Sequence, residues 1–242
     1  MNPRTLLTTA LLTTLLASGT AAQAAATTPT PPSAQSTRLH TIQTKGDADI
    51  TARLTALHTL LTKIDTITKL SADQKTNLKD EVQGQISSLT ALQTTLDAET
   101  DPTKAKADFT AIFQDHYIFA FYLPRIERIV AAEGSKDAAD QLTAVATNLS
   151  TFLTQAAQQG SNVTALQTSL ADMQSKTSDA STQAQKVLDQ LIPLTASGYP
   201  ANKATLTSAT ATLKTSREDL RAARKDADTI LVGLKRINKS IQ

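Results

Sequence analysis

The three histidines, His40, His58 and His116, are the side chains of this sequence best suited to metal or proton-transfer chemistry. None of them stands in a Glu-x-x-His or His-x-x-x-His arrangement, the spacings that place two metal ligands on one face of a helix. His116 directly follows Asp115, but neighbouring residues on a helix point about 100° apart and do not share a metal ion. We therefore expect no metal site, and we interpret His116 as a hydrogen-bonded or solvated side chain.

The sequence also lacks the residue patterns of common catalytic sites. It contains no cysteine, which excludes disulfides, thiolate nucleophiles and Cys-ligated metals. It contains no Gly-x-Ser-x-Gly turn, no glycine-rich phosphate loop and no paired carboxylates on an apolar helix face. We predict a protein that is not an enzyme and that needs no cofactor. An enzyme with an unrecognised site is the third hypothesis, after the two developed below.

The aromatic residues are concentrated in one stretch, residues 108–130, which reads DFTAIFQDHYIFAFYLPRIERIV. Four of the five Phe and two of the three Tyr lie here, and the chain has no Trp. Burying a large apolar side chain contributes roughly 1.5–3 kcal/mol, so this density of rings predicts a central segment covered by other helices. The alternative is an incompletely covered patch that receives a ligand, a partner or a membrane surface. On that alternative, the contact residues would be Phe119, Phe121, Tyr122, Arg125 and Arg128.

Pro124 interrupts the apolar pattern of the aromatic stretch. It has no N–H group, and its ring clashes with the carbonyl of Ala120 in a regular helix. We therefore expect a kink or a break between Tyr122 and Pro124.

Basic residues suggest two places where an anion could bind. Arg125 and Arg128 follow the rings, although a charge run of this kind is also typical of a solvated helix face. Near the C-terminus, basic and acidic residues are interleaved, and the basic ones are Arg217, Arg221, Arg224, Lys225, Lys235, Arg236 and Lys239. Because the net charge is only +2, we do not expect nucleic acid as a partner. Contact with anionic wall polymer or lipid headgroups stays open.

The N-terminus has the pattern of a secretory signal. Arg4 precedes an apolar run from Leu6 to Ala17, and Ala22-Gln23-Ala24 places small residues where a signal peptidase requires them. We predict a signal peptide over residues 1–24, with cleavage after Ala24. About a dozen apolar residues are too few to cross a bilayer, although retention as an anchor is the alternative. The predicted locations are the periplasm, the extracellular space or the cell surface.

Residues 25–45 contain TTPTPPSAQST, a polar segment with three prolines that we interpret as a disordered linker. Beyond it, apolar residues recur at alternating intervals of three and four to the end of the chain, the pattern of long helices in coiled-coil-like packing. Start and stop signals divide this region into about six helices: a Ser71–Gln74 capping box, Asp101-Pro102, Gly134-Ser135, Gly160 with Ser161 or Asn162, Pro193 with the turn at 197–200, and Asn202. The prediction is an all-α fold, an elongated antiparallel helical bundle over residues 46–242.

Two segments carry a resemblance to known sequences. The first is AKADFTAIF with the later YLPRIERIVAAEG, and the second is VTALQTSLADMQSKTSDASTQAQ with LTASGYPANKATL. Over roughly residues 46–234 the chain resembles a group of exported, helix-rich bacterial proteins that are uncharacterised. The resemblance implies export and a helical fold, and it transfers no catalytic or binding residue.

Two functional hypotheses follow from these observations. The first is a non-catalytic structural or interaction protein of the cell envelope or surface, built from long amphipathic helices, with a protein or envelope partner. The second is a binding protein for an apolar or amphipathic ligand at Phe119–Tyr122. Both predict a chain that does not span the membrane after cleavage.

Overall fold

The computed structural model describes residues 33–241, and this part of the chain is helical with no β-strand. It contains six α-helices: α1 (Ala34–Thr66), α2 (Ala72–Ala98), α3 (Pro102–Gln114), α4 (Leu123–Gln158), α5 (Thr164–Leu191) and α6 (Lys203–Ile241). A π-helical turn, Ile118–Tyr122, joins α3 to α4, and a short 3-10 turn, Ala196–Gly198, lies between α5 and α6. The predicted all-α class and the approximate number of helices are confirmed. The predicted signal peptide lies outside the described residues.

The first two helices form an antiparallel hairpin. Asp65 near the end of α1 pairs with Lys79 near the start of α2. At the other end, the side-chain amide of Gln43 donates to the carbonyl of Leu96 at 3.0 Å. The predicted capping box at Ser71 is present, with both reciprocal hydrogen bonds to Gln74.

The helix α1 begins earlier than the sequence predicts. Residues 34–45, expected to belong to the disordered linker, are helical, whereas residues 25–32 lie outside the described part. Ser33 caps this helix by accepting a hydrogen bond from the backbone N–H of Ser36. Gln43 also donates to the carbonyls of Asp97 and Glu99, just beyond the last turn of α2. These contacts between distant residues stabilise a short polar segment that has few apolar side chains of its own to bury.

The helix is interrupted before the position that was predicted near Pro124. The helix α3 ends at Gln114, and the π-helical turn is closed by a 3.2 Å bond from the N–H of Tyr122 to the carbonyl of Tyr117. Pro124 then lies in the first turn of α4, directly after the π turn and without a break in the helical backbone. The wider π turn changes the geometry that would bring the proline ring against Ala120.

The Gly134-Ser135 pair does not end a helix, contrary to the prediction. The helix α4 continues through both residues to Gln158, and the hydroxyl of Ser135 donates to the carbonyl of Ala131 within the helix. A glycine inside a helix costs about 1 kcal/mol relative to alanine. That cost is small compared with the free energy gained by burying the continuous row of side chains on either side of the glycine. The row includes Ile129, Ala132, Ala139 and Leu142.

The helices α4, α5 and α6 form a three-helix bundle. α4 and α6 are parallel, because Arg128 bonds to Thr210 near their starts and Phe152 shares a groove with Leu231 near their ends. α5 runs in the opposite direction, and the hydroxyl of Ser216 donates to its Ala180 carbonyl at 2.9 Å. With 39 residues, α6 is about 58 Å long at 1.5 Å per residue.

The buried apolar residues form two clusters. The first joins α1, α2, α3 and the π turn to the start of α4, the end of α5 and the start of α6. The second lies between the remaining lengths of α4, α5 and α6. The two clusters follow each other along α4, so the fold is elongated, and the buried residues of the aromatic stretch belong to the first cluster.

Two glycines in helix interiors provide a test of the packing between α1 and α2. A Cβ on Gly46 would overlap the buried side chain of Leu96, whereas a Cβ on Gly84 would meet nothing within 4 Å. We expect Gly84→Ala to raise the free energy of unfolding by about 0.5–1 kcal/mol through helix propensity. We expect Gly46→Ala to lower it by about 1–3 kcal/mol through overpacking. Urea unfolding followed by circular dichroism measures both, and an equal gain for the two variants would contradict the packing.

Candidate functional site

The structure divides the five predicted contact residues between the core and the surface. Phe121 is fully buried, Tyr122 is 5% exposed and Arg125 is fully buried. Phe119 is 49% exposed, and Arg128 is partly exposed. The five side chains therefore do not line one open surface, and only Phe119 presents its ring to solvent.

Arg125 joins α4 to α2 and to the end of α5 inside the first apolar cluster. Its Nε donates to the carbonyl of Leu191 at 2.8 Å, and its Nη2 donates to the carbonyl of Ile192 at 2.6 Å. Its Nη1 contacts the carboxylate of Glu81 at 2.5 Å, and its guanidinium lies 5.5 Å from the ring centre of Phe121. Carbonyls at a helix C-terminus carry partial negative charge, so this cation caps α5 and also pairs with α2.

Arg128, one turn further along α4, makes weaker contacts at the surface. Its Nε donates to the hydroxyl of Thr210 at 2.7 Å, and its Nη1 donates to the carbonyl of Pro124 at 2.7 Å. Neither acceptor is charged. Arg128 therefore holds α4 against α6 without a buried ion pair.

Gln85 on α2 hydrogen-bonds two side chains of the aromatic stretch. Its Oε1 lies 2.8 Å from Nδ1 of His116, and it also bonds the hydroxyl of Tyr122. Burial lowers the pKa of His116, and the charge of Arg53 lowers it further, against an opposing effect of Asp115. Burial is also the main cause that raises the pKa of Tyr122. Both groups are therefore neutral at neutral pH, and Nδ1–H of His116 donates to Gln85.

Arg53 of α1, together with Phe113 and Phe119 of the aromatic stretch, forms a group that we call the Arg53 cluster, and its two rings face solvent. The guanidinium of Arg53 lies 4.5 Å from the ring centre of Phe113 and 5.3 Å from that of Phe119. Phe113 is 43% exposed, whereas Arg53 is only 6% exposed. Its Nη1 donates to the backbone carbonyl of Asp49 at 3.0 Å. The buried guanidinium of Arg53 thus contacts both half-exposed rings and helps to hold them in place.

Arg53 was not predicted as a site residue, although its spacing contains a signal. It lies three residues after Ile50 and four before Leu57, on the row of α1 that is buried. Leu54, the apolar residue next to it, lies at the edge of that row and is only partly buried. An arginine at a position that the helical spacing predicts to be buried, in a chain that also has a stretch rich in aromatic rings, is the pattern that would have identified it.

The described part of the chain contains little that resembles a metal or catalytic centre. Within residues 33–241, no three His, Asp or Glu side chains come together as a metal ion requires. Glu133 is buried, and its Oε2 accepts the backbone N–H of Lys69 at 3.1 Å. Burial raises the pKa of Glu133, and the hydrogen bond from Lys69 opposes that shift. A single carboxyl group of this kind does not make a catalytic site by itself.

No helix among residues 33–241 has both the length and the apolarity that crossing a bilayer requires. No protein-family model matches the chain, and comparisons with curated proteins and with solved structures found no significant match. The resemblance to exported, helix-rich bacterial proteins therefore stays a hypothesis that rests on the segments quoted above.

The different roles of Arg125 and Arg128 lead to a stability prediction. Arg125→Met would leave Glu81 and the carbonyls of Leu191 and Ile192 without their partner inside the protein. We expect it to lower the free energy of unfolding by about 3–5 kcal/mol. Arg128→Met, the matched control, should lower it by about 1 kcal/mol or less. Urea unfolding of both variants tests this, and losses of equal size would show that Arg125 does not have the proposed role.

The environment of His116 leads to a prediction about pH. Its pKa is lower in the folded protein than in the unfolded chain, so the unfolded chain binds the proton first as the pH falls. The free energy of unfolding should therefore fall as the pH goes from about 7.5 to about 6, through the ordinary histidine pKa of about 6.5. His116→Asn keeps a donor near Gln85 and should remove this component. His58→Asn, at an exposed position, should retain it. An unchanged pH dependence in His116→Asn would refute the assignment.

Proposed function

We propose that this protein is a non-catalytic interaction protein of the cell envelope or cell surface, and that it contacts a protein partner through the Arg53 cluster. The single observation that carries this proposal is the exposure of Phe113 and Phe119 on either side of the buried Arg53. Aromatic residues and arginine are the residue types enriched at protein–protein contacts and at their energetic centres. Two large rings left half in water also forfeit stability that a partner would restore.

The position of the Arg53 cluster favours recognition without a large rearrangement. Its members lie on α1, on α3 and in the π turn, and each of these elements contributes side chains to the first apolar cluster. Phe113 also contacts Phe109 edge to face, with ring centres 5.3 Å apart. A surface held in this way loses little conformational freedom when a partner binds, and that loss is a main cost of association.

The envelope location is proposed from the sequence. The pattern of residues 1–24 favours export, and the long helices of residues 33–241 suit a protein that reaches away from its point of attachment. Neither observation depends on the Arg53 cluster. Export and partner contact are therefore separate parts of the proposal.

The alternative function, binding of an apolar ligand at Phe119–Tyr122, has less support from the geometry. Phe121 and Tyr122 are buried, so a ligand that reached them would have to open the first apolar cluster. The dye 1-anilinonaphthalene-8-sulfonate distinguishes the two functions. Saturable dye binding to the native chain that is lost in Phe121→Ala, without loss of the fold, would favour the ligand-binding alternative.

Site-specific photo-crosslinking in intact cells tests the partner contact. We expect benzoylphenylalanine at position 119 to give a discrete crosslinked product, because this ring lies at the proposed surface. The same amino acid at position 104, exposed on another part of α3, should give none. Phe113→Ser, combined with the probe at 119, should reduce the product about tenfold or more, the effect of losing roughly 1.4 kcal/mol of contact. Equal labelling from 104 and 119 would contradict the proposal.

A further inference from the structure

The outer side of α6 carries a row of basic residues. Arg217, Arg221, Arg224, Lys235 and Lys239 lie within about 60° of one another around the helix axis, at 100° per residue. All five are exposed, and none of them takes part in an ion pair among the described residues. We call this row the basic face of α6. The helix as a whole contains nine Lys or Arg residues against four Asp or Glu.

The acidic residues of α6 mostly lie elsewhere or are already paired. Asp219 accepts a hydrogen bond from Gln183 and Asp226 pairs with Lys176, both across the contact with α5. Glu218 lies 3.8 Å from Lys214. Asp228 is the acidic residue that shares the basic face. The interleaved charges of the sequence are thus separated in space, and the row keeps a net positive charge.

The surface of α4 beside the second half of α6 does not neutralise this charge. Residues 141–160, which lie beside the second half of α6, contain no charged side chain. They carry Phe152, which is 54% exposed. Phe152 lines a groove of about 380 Å³ together with Leu231 and Lys235 of α6. Leu231 and the adjacent Val232 are also largely exposed.

We propose that this side of the three-helix bundle binds an anionic lipid surface, with the basic face of α6 against the headgroups and Phe152, Leu231 and Val232 in the interfacial layer. Basic side chains beside exposed apolar ones are what a helix lying on a membrane presents. The proposal goes beyond the contact through the Arg53 cluster and does not depend on it. The Arg53 cluster lies beside the first apolar cluster, whereas the basic face of α6 lies mainly beside the second.

Lipid accounts for this surface better than a dissolved polyanion. A wall polymer or polyphosphate chain would satisfy the charges of Arg217, Arg221 and Arg224, but it would leave Phe152 and Leu231 in water. A bilayer interface satisfies both kinds of side chain, because the apolar residues gain free energy as they leave water. The shallow cleft lined by Arg217, Leu220, Arg221 and Arg224 gives phosphate oxygens access to three guanidinium groups.

Co-sedimentation with vesicles tests the proposal. The chain from residue 25 onwards is used, because the apolar run at Leu6–Ala17 would bind lipid itself and the described fold begins at Ser33. It should bind to vesicles that contain about 30% phosphatidylglycerol in phosphatidylcholine. It should bind much more weakly to vesicles of phosphatidylcholine alone. The triple variant R217Q/R221Q/R224Q should bind the anionic vesicles on the order of 100-fold more weakly, since each basic residue near the surface contributes about 1 kcal/mol. Added salt should weaken binding of the wild-type chain.

A matched triple variant controls for net charge. K104Q/K106Q/K186Q removes the same charge from exposed positions on α3 and α5. It should change vesicle binding by about threefold or less, because these charges lie outside the basic face and are screened over about 10 Å. Equal losses in the two triple variants, or equal binding to both vesicle types, would overturn the proposal. So would binding to soluble polyphosphate but not to vesicles, which would assign the surface to a polymer.

The absence of tryptophan from the chain provides a reporter for the apolar contact. Phe152→Trp places one tryptophan at the proposed interface, and its emission should shift to the blue when anionic vesicles are added. Thr90→Trp, at an exposed position on α2, should show no shift. If Phe152→Trp binds vesicles with unchanged emission, the ring stays in water and the proposed orientation on lipid is wrong.

Discussion

The buried guanidinium of Arg125 is the interaction on which the rest of this fold depends. Removing a cation from water costs several kcal/mol, and the cost is offset only if every donor finds a well-placed acceptor. Here the acceptors are the carbonyls of Leu191 and Ile192 and the carboxylate of Glu81, which belong to α5, to the residue after it and to α2. These contacts hold α2 and the end of α5 against the first turn of α4, and together they pair this charge. The rings of Phe121 and Tyr122 are buried around the same point.

This constraint divides the aromatic stretch into an inner and an outer part. Phe121 and Tyr122 serve the core, and Gln85 provides polar partners for His116 and Tyr122. Phe113 and Phe119 remain outside, where Arg53 holds them without covering them. The hypothesis of a ligand pocket treated Phe119, Phe121 and Tyr122 as one surface. The geometry favours a structural role for the first pair and partner contact for the second.

The two proposed contacts lie on different halves of the molecule, and their chemistry differs. The Arg53 cluster is small and aromatic, which suits a protein partner. The basic face of α6 is long, charged and bordered by exposed apolar side chains, which suits an extended anionic surface. An elongated protein that uses both contacts would hold a partner at a distance from a membrane.

The sequence by itself determined the all-α class and most helix ends, because capping at Ser71, Asp101-Pro102 and Gly160 depends on residues a few positions apart. It could not decide which of two adjacent apolar rows of α4 is buried: Val145 and Phe152 are exposed, whereas Ala146 and Leu153, one position further along, occupy the core. Nor could it place Arg53 and Arg125, which are charged, among buried residues. The tertiary structure decided these positions, since the burial of a side chain depends on the helices packed against it. For Arg125, these neighbouring residues are up to about 70 positions away along the chain.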